Sequence, residues 1–465
     1  MQPVNKLPPE ILSYVARRVR NNLDEDTRAI IPLTHVCRYW RESIISTPEN
    51  WKMISNSRRN LATTSLERSK SALLEIRLDM GGIREDPQFF DLLVPHFQHT
   101  EILRVTGLLT IEDLSLFSLH QMTNLRSLEL SRQLGVRDWD RSIDPFELSA
   151  YTLRHLKLFF VPLYPSFLNF RSLKRLDLCD RQCNLHLDTL LDFLEENRSL
   201  TIARLGIRFV EPSVRASRRR APIQNRLRYL DITCGDAIDG QALISSIALS
   251  KGAQLKLDCS WYIGPYGVGV GVGDVLSGIS TSHLSNLLSP TFMQYRIYPK
   301  IIHLRGPNGT ATFHSKYDLN IPFAEFPRLP LANIRLLHLD TGECDQVRPS
   351  LPLIPFDHLS FFPAIETFIA SGTDLSRLLS TLLSDPSASP SLKTLMFTNW
   401  DFTEEFMEGL TRFASDRKKT TSARLHRVVI TNRGGVLPSI ASIHELEKHV
   451  PVVDIRITEE PPSDL

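Results

Sequence analysis

The sequence predicts an α/β fold: a short N-terminal unit of three helices, then an irregular array in which a strand, loop, helix and loop repeat to the C-terminus. Three observations carry this reading. Apolar residues recur at helical spacing over residues 1–50. An apolar-x-x-apolar-x-apolar pattern then returns at intervals of about 26 residues. Between its returns the chain regains helical periodicity, as at Leu187, Leu190, Leu191 and Leu194. With 465 residues, 42% of them hydrophobic, the chain can bury a large core without disulfides or metals.

In the N-terminal unit, Pro8 and Pro9 stand where a helix can begin, because a first-turn proline gives up an amide that lacks an intrahelical partner anyway. Ile11, Val15 and Val19, with Leu12 and Ala16 beside them, make an apolar stripe to about Arg20. The cap and turn formers Asn21 to Asp26 interrupt it. Leu33, Val36, Cys37, Trp40 and Ile44 then fall on one helical face. Thr47-Pro48-Glu49 predicts a short third helix carrying Trp51. The predicted organisation is a helical module at 1–55, a linker at 56–71 and the repeat array at 72–465.

Leu7-Pro8-Pro9-Glu10-Ile11-Leu12, followed by Val36-Cys37-Arg38-Tyr39-Trp40-Arg41 and then Ile44, Pro48 and Trp51, resembles the F-box motif. That motif recruits the Skp adaptor of cullin-based ubiquitin ligases. The resemblance implies that Leu7, Pro8, Ile11, Val36 and Cys37 face the Skp adaptor, and that Leu12, Leu33, Trp40, Ile44 and Trp51 form the F-box core. The segment Arg17 to Ile31 is longer and more charged than the family pattern. A plainer alternative is a helical cap on the open end of the array, which repeat proteins need for solubility.

The repeat pattern reads Leu73/Ile76/Leu78, Leu125/Leu128/Leu130, Leu153/Leu156/Leu158, Leu173/Leu176/Leu178, Ile202/Leu205/Ile207 and Leu227/Leu230/Ile232, with a weaker copy at Ile102/Val105. It returns at Ile334, Ile365, Leu392, Leu425 and Val450, in steps of about 29 residues. This portion resembles leucine-rich-repeat proteins, so the whole chain is similar to F-box proteins of the fungal type with a degenerate leucine-rich-repeat-like solenoid. The polar residue which that family places after the third apolar position is replaced here by Gly81, Gln133, Val161, Arg181, Gly235 and Trp400. Residues 261–333 fit the pattern worst, and their Gly264 to Gly273 run predicts a long loop or strand pair.

Composition and motifs argue against other classes. The 54 Lys+Arg against 52 Asp+Glu leave a formal charge of +2, which argues against nucleic-acid or membrane-surface binding as the global design. Six scattered cysteines give no disulfide framework, and the N-terminus lacks a secretory pattern, so the expectation is a soluble protein of the cytoplasm or nucleus. Val272 and Asp274 break the two possible dinucleotide registers. His444 and His449 are five apart, about 140° around a helix, and cannot share a metal. Cys179, Cys183 and His186 lack a second cysteine pair at finger spacing.

No nucleophile elbow, catalytic constellation, cofactor site or metal site is therefore expected. By resemblance, the expected function is a non-catalytic substrate adaptor of a Skp-cullin-F-box ubiquitin ligase, with the repeats holding a target protein. A non-degradative binding scaffold is the alternative. The target-binding residues are left open: Trp139, Trp261, Tyr262, Trp400 and the loop Arg218-Arg219-Arg220 are candidate anchors, each weighed against burial or solvation.

Overall fold

The computed structural model describes residues 7–22, 27–108, 113, 116–117, 121–132, 152–161, 170–179, 187–207, 223–224, 226–234, 237–249, 252–258, 292–296, 300–306, 309–315, 331–340, 362–371, 389–398, 402–420, 424–432 and 438–457. The chain is mixed α/β, with mostly parallel strands, and divides into two compact units, Met1–Val210 and Glu211–Leu465.

The first unit begins with helix α1, Pro9–Asn22. The Pro8 carbonyl accepts from the Ile11 and Leu12 amides, and Glu10 places negative charge in the first turn, where the helix dipole favours it. Leu12 and Ala16, one turn apart, are buried. Helix α2, Arg38–Ser46, starts later than the apolar spacing predicts. Pro32 opens a separate 3-10 turn over Pro32–His35, and Cys37 is extended at φ −160°. The Arg41 guanidinium donates to the Thr34 carbonyl at 3.0 Å, an acceptor that a continuous helix would use internally. The expected third helix is only a 3-10 turn, Pro48–Asn50.

Leu12, Ala16, Ile30, Trp40, Ile44 and Trp51 pack as one buried cluster, with Leu7, Leu33, Cys37, Tyr39 and Ile45 partly buried against it. Two side chains close the end of α2: Trp51 Nε1 and Asn50 Nδ2 both donate to the Ile44 carbonyl, at 3.0 and 3.2 Å. The boundary expected at residue 55 does not separate a module from a linker. Strand β1, Met53–Ser55, pairs in parallel with β2, Leu74–Asp79. The expected linker contains helix α3, Arg59–Ser69, which buries Ala62, Ser65, Leu66 and Ser69. Its Arg68 lies over the Trp51 ring at 4.4 Å.

Strands β3 (Thr100–Leu108), β4 (Ser127–Arg132), β5 (His155–Phe159), β6 (Arg175–Cys179) and β7 (Ile202–Ile207) follow, each parallel to the one before it. Leu103, Leu128, Leu156, Leu176 and Ala203 lie in register and are buried. Two repeats are therefore shifted from the sequence reading. Buried Thr100 and Leu200 occupy the first position rather than Ile102 and Ile202, and Ala203 takes the second. Helices α4 (Met80–Glu85), α5 (Gln88–Leu93) and α6 (Leu187–Glu196) lie between strands. All four leucines of the predicted α6 stripe are buried.

A different polar ladder stands in for the missing one. In three repeats the hydroxyl just before the first apolar position donates to the preceding repeat: Thr152 to the Leu125 carbonyl, Ser172 to Leu153 and Ser199 to Leu173, each at 2.8 Å. Ser172→Ala is expected to cost about 1 kcal/mol, the net value of one such bond, read as a lower urea midpoint at unchanged slope.

The second unit contains strands β8 (Ile223–Gln224) and β10 (Ile247–Ala248), paired in parallel around β9 (Tyr229–Cys234) and α7 (Ala237–Ser246) in the chain. Strand β11, Ala253–Asp258, pairs in parallel with β9. The stretch expected to be loop or strand pair holds a three-stranded meander instead: β12 (Phe292–Arg296), β13 (Lys300–Gly306) and β14 (Gly309–Ser315), successive strands antiparallel. Its last strand lies parallel beside β11 and its first beside β15, Leu336–Asp340. The meander thus satisfies both neighbouring edges, which the apolar pattern alone does not reveal. The Gly264 to Gly273 run lies outside the described residues.

Strands β16 (Thr367–Ser371), β17 (Thr394–Thr398), β18 (Arg427–Asn432) and β19 (Val452–Ile457) continue in parallel. Leu337, Phe368, Leu395 and Val428 align as their buried column. Helix α8, Glu404–Thr420, starts at the Thr403 hydroxyl, which accepts from the Phe406 amide, and carries Glu404 and Glu405 first and Arg417 to Lys419 last, matching the helix dipole. Helix α9, Ile440–Glu447, is capped by Ser439.

Candidate functional site

Two surfaces of the first unit concentrate chemistry. On the N-terminal helices, Pro8 is exposed, and Ile11 and Val36 show 46% and 51% of their surface. Leu7 and Cys37, predicted to face the same way, are only partly buried and also brace the core cluster. The Leu7 carbonyl accepts from the Tyr39 hydroxyl at 2.7 Å, tying the entry of α1 to α2. Of the predicted core, Leu12, Trp40, Ile44 and Trp51 are buried and Leu33 is partly so. Tyr14, half-exposed one turn beyond Ile11, was missed. Its ring lies under Arg18, whose Nε donates to the hydroxyl at 2.8 Å. Its i, i+3 spacing from Ile11 is the signal that could have found it.

The second surface is the outward face of the sheet. Strand alternation buries the apolar anchors and turns the residue between the second and third anchor to the other side. That residue is Arg77, Arg104, Glu129, Lys157, Asp177 and Arg204 on β2 to β7, aligned by the strand register. Opposite charges meet along it. Arg77 pairs with Glu75 at 2.9 Å, Lys157 with Glu129, Arg175 with Asp177 at 2.8 Å, and Arg204 with Asp177 at 4.0 Å. His155 sits among these groups with its pKa below the usual imidazole value, first through burial and then through the Arg175 cation. The single charged residue inside each apolar-x-apolar step was legible in the sequence and was missed.

At one end of this face, near the ends of β1 to β4, lies a groove of about 600 Å³. Asn56 forms its wall by donating to the Asp79 carbonyl at 2.6 Å and accepting from the Asp79 amide at 3.0 Å. Asp79 in turn caps α4 through the Gly82 amide at 3.2 Å. Gly107 passes close by at φ +71°, and a Cβ there would stand 2.7 Å from Asp79 Oδ1. Gly107→Ala is expected to cost about 1–3 kcal/mol through left-handed strain and displacement of Asp79, measured as a lower thermal midpoint.

Among the described residues there is no group of three His, Cys, Asp or Glu that could hold a metal. Cys179 is described and forms no disulfide; Cys183 and His186 lie outside the described residues. His444 is exposed on α9 and pairs with Glu447, whereas His449 lies beyond the helix end. No described helix is long and apolar enough to cross a membrane. Trp139, Trp261, Tyr262, Trp400 and Arg218 to Arg220 all lie outside the described residues. No protein-family model matches the chain, and no curated protein matches it.

Proposed function

We propose that this chain is a non-catalytic adaptor: its N-terminal helices dock a Skp-type adaptor, and through it a cullin, while its strand array holds a target protein for ubiquitin transfer. The observation that carries the reading is the exposure of apolar Ile11, on α1, and Val36, between the 3-10 turn and α2, beside a core closed around Trp40. Apolar side chains turned outward beside a satisfied core fit a partner surface better than a structural duty. The F-box resemblance supplies the identity of that partner. The chemistry is proximity, because tethering replaces a bimolecular encounter by a high effective concentration.

The test is co-purification and titration of the full chain with a Skp adaptor, comparing wild type with Ile11→Ala, Val36→Ala. Both positions are exposed, so the thermal midpoint should hold while affinity falls at least about tenfold, the behaviour of interface anchors. Absence of binding by the wild type would sink the reading, leaving residues 1–55 as a helical cap.

A further inference from the structure

The groove at the ends of β1 to β4 is lined by one cation held only through long ion pairs and by one anion without an ion pair among the described residues. Arg104 is held there by two long ion pairs, Nη2 at 3.5 Å from Glu75 and Nε at 3.7 Å from Glu129, with its side chain 37% exposed. Both carboxylates are engaged by nearer cations. Arg77 donates twice to Glu75, at 3.0 and 2.9 Å, and Lys157 closes on Glu129. Arg104 therefore keeps its guanidinium fork without a hydrogen bond among the described residues, whereas Arg77 and Arg175 spend theirs on carboxylates of their own strands. Glu85, which also lines the groove, is exposed and without an ion pair among the described residues.

We infer that this groove docks an extended segment of a partner protein that carries a carboxylate side chain for Arg104 and, close to it, a basic side chain for Glu85. A planar carboxylate can accept two parallel N–H bonds from a guanidinium fork already oriented by its neighbours. The charge balance selects a carboxylate over a phosphate. Arg77 and Arg104 face Asp79, Glu85 and Glu129, so the lining is net acidic; a dianion meets more repulsion there, and a basic neighbour is required to balance it. This specifies the target chemistry for the sheet surface proposed above and rests on that part of the reading, but not on adaptor docking.

The experiment is selection of a random dodecapeptide phage library on the full-length protein, followed by titration of the enriched peptides. Enriched peptides should pair an acidic with a basic residue. Arg104→Gln should weaken them at least about tenfold with little change in the thermal midpoint, since the replaced group makes only two long, partly exposed ion pairs. Arg104→Glu should abolish the acidic requirement. The site is overturned if no peptides enrich, or if those enriched ignore both substitutions. Tighter binding of a phosphoserine version than of the glutamate version would overturn the carboxylate assignment. Skp-adaptor binding by Arg104→Gln, measured in parallel, separates failure here from failure of the adaptor reading.

Discussion

Replacing Trp51 with alanine is expected to destabilise the Met1–Val210 unit by about 3–5 kcal/mol, the usual range for a large aromatic removed from a core. Three losses combine. The indole is 2% exposed inside the cluster formed by Leu12, Trp40 and Ile44. Its Nε1 donates to the Ile44 carbonyl at 3.0 Å, satisfying a helix-end acceptor that α2 cannot serve itself. Its ring face carries Arg68 of α3 at 4.4 Å. Trp51 therefore joins the N-terminal helices to the segment leading into the sheet, and its loss loosens both. Urea unfolding of the full chain should show a lower midpoint for the earliest transition. Trp51→Phe, which keeps much of the volume but not the donor, should cost about 1–3 kcal/mol. A change below about 1 kcal/mol for Trp51→Ala would refute the packing argument.

Arg417→Met is expected to destabilise the Glu211–Leu465 unit by about 1–3 kcal/mol, the cost of leaving buried acceptors without their donor. Arg417 is fully buried, and its guanidinium donates to the carbonyls of Ser389 and Leu392 at 3.0 Å each and of Pro390 at 3.4 Å. These carbonyls belong to the turn that enters β17, so one side chain on α8 fixes the helix against the repeat it covers. Burial holds the Arg417 pKa below the ordinary arginine value, and the three carbonyls compensate the cation in place of water. Methionine matches the stem but leaves those acceptors short of donors. Arg417→Lys should recover only part of the loss, because a single ammonium cannot reproduce the fork. Thermal unfolding followed by circular dichroism ranks the three proteins; equal midpoints for wild type and Arg417→Met would refute the assignment.

Much of the strand array was legible because burial on a pleated strand imposes a period of two that survives in the residues themselves. Leu128/Leu130, Leu156/Leu158 and Leu176/Leu178 are buried as their spacing requires. The reading slipped where polarity and burial part company. Thr100 and Ala203 are buried, the one a hydroxyl whose donor reaches back to the His96 carbonyl and the other too small to register as an anchor. The same difficulty hid α3, whose inward face is mostly alanine and serine. The candidate site was less legible than the fold. A charged residue between two anchors looks like ordinary solvent-facing polarity until strand register stacks Arg104 between Arg77 and Glu129.

By itself the sequence determined the α/β class, the pitch of the strand array, the leucine stripe of α6 and the core of the N-terminal helices. All of these follow from local periodicity, in which each residue's burial is set by neighbours a few positions away. Tertiary structure alone decided the start of α2 at Arg38, the meander that fills the middle of the second unit, and the state of Arg104. Each of these depends on competition between partners: Arg41 claiming the Thr34 carbonyl, two open strand edges needing β12 and β14, and nearer cations leaving Arg104 only long ion pairs to Glu75 and Glu129. Such contests are settled by distance in space, which a linear pattern does not encode.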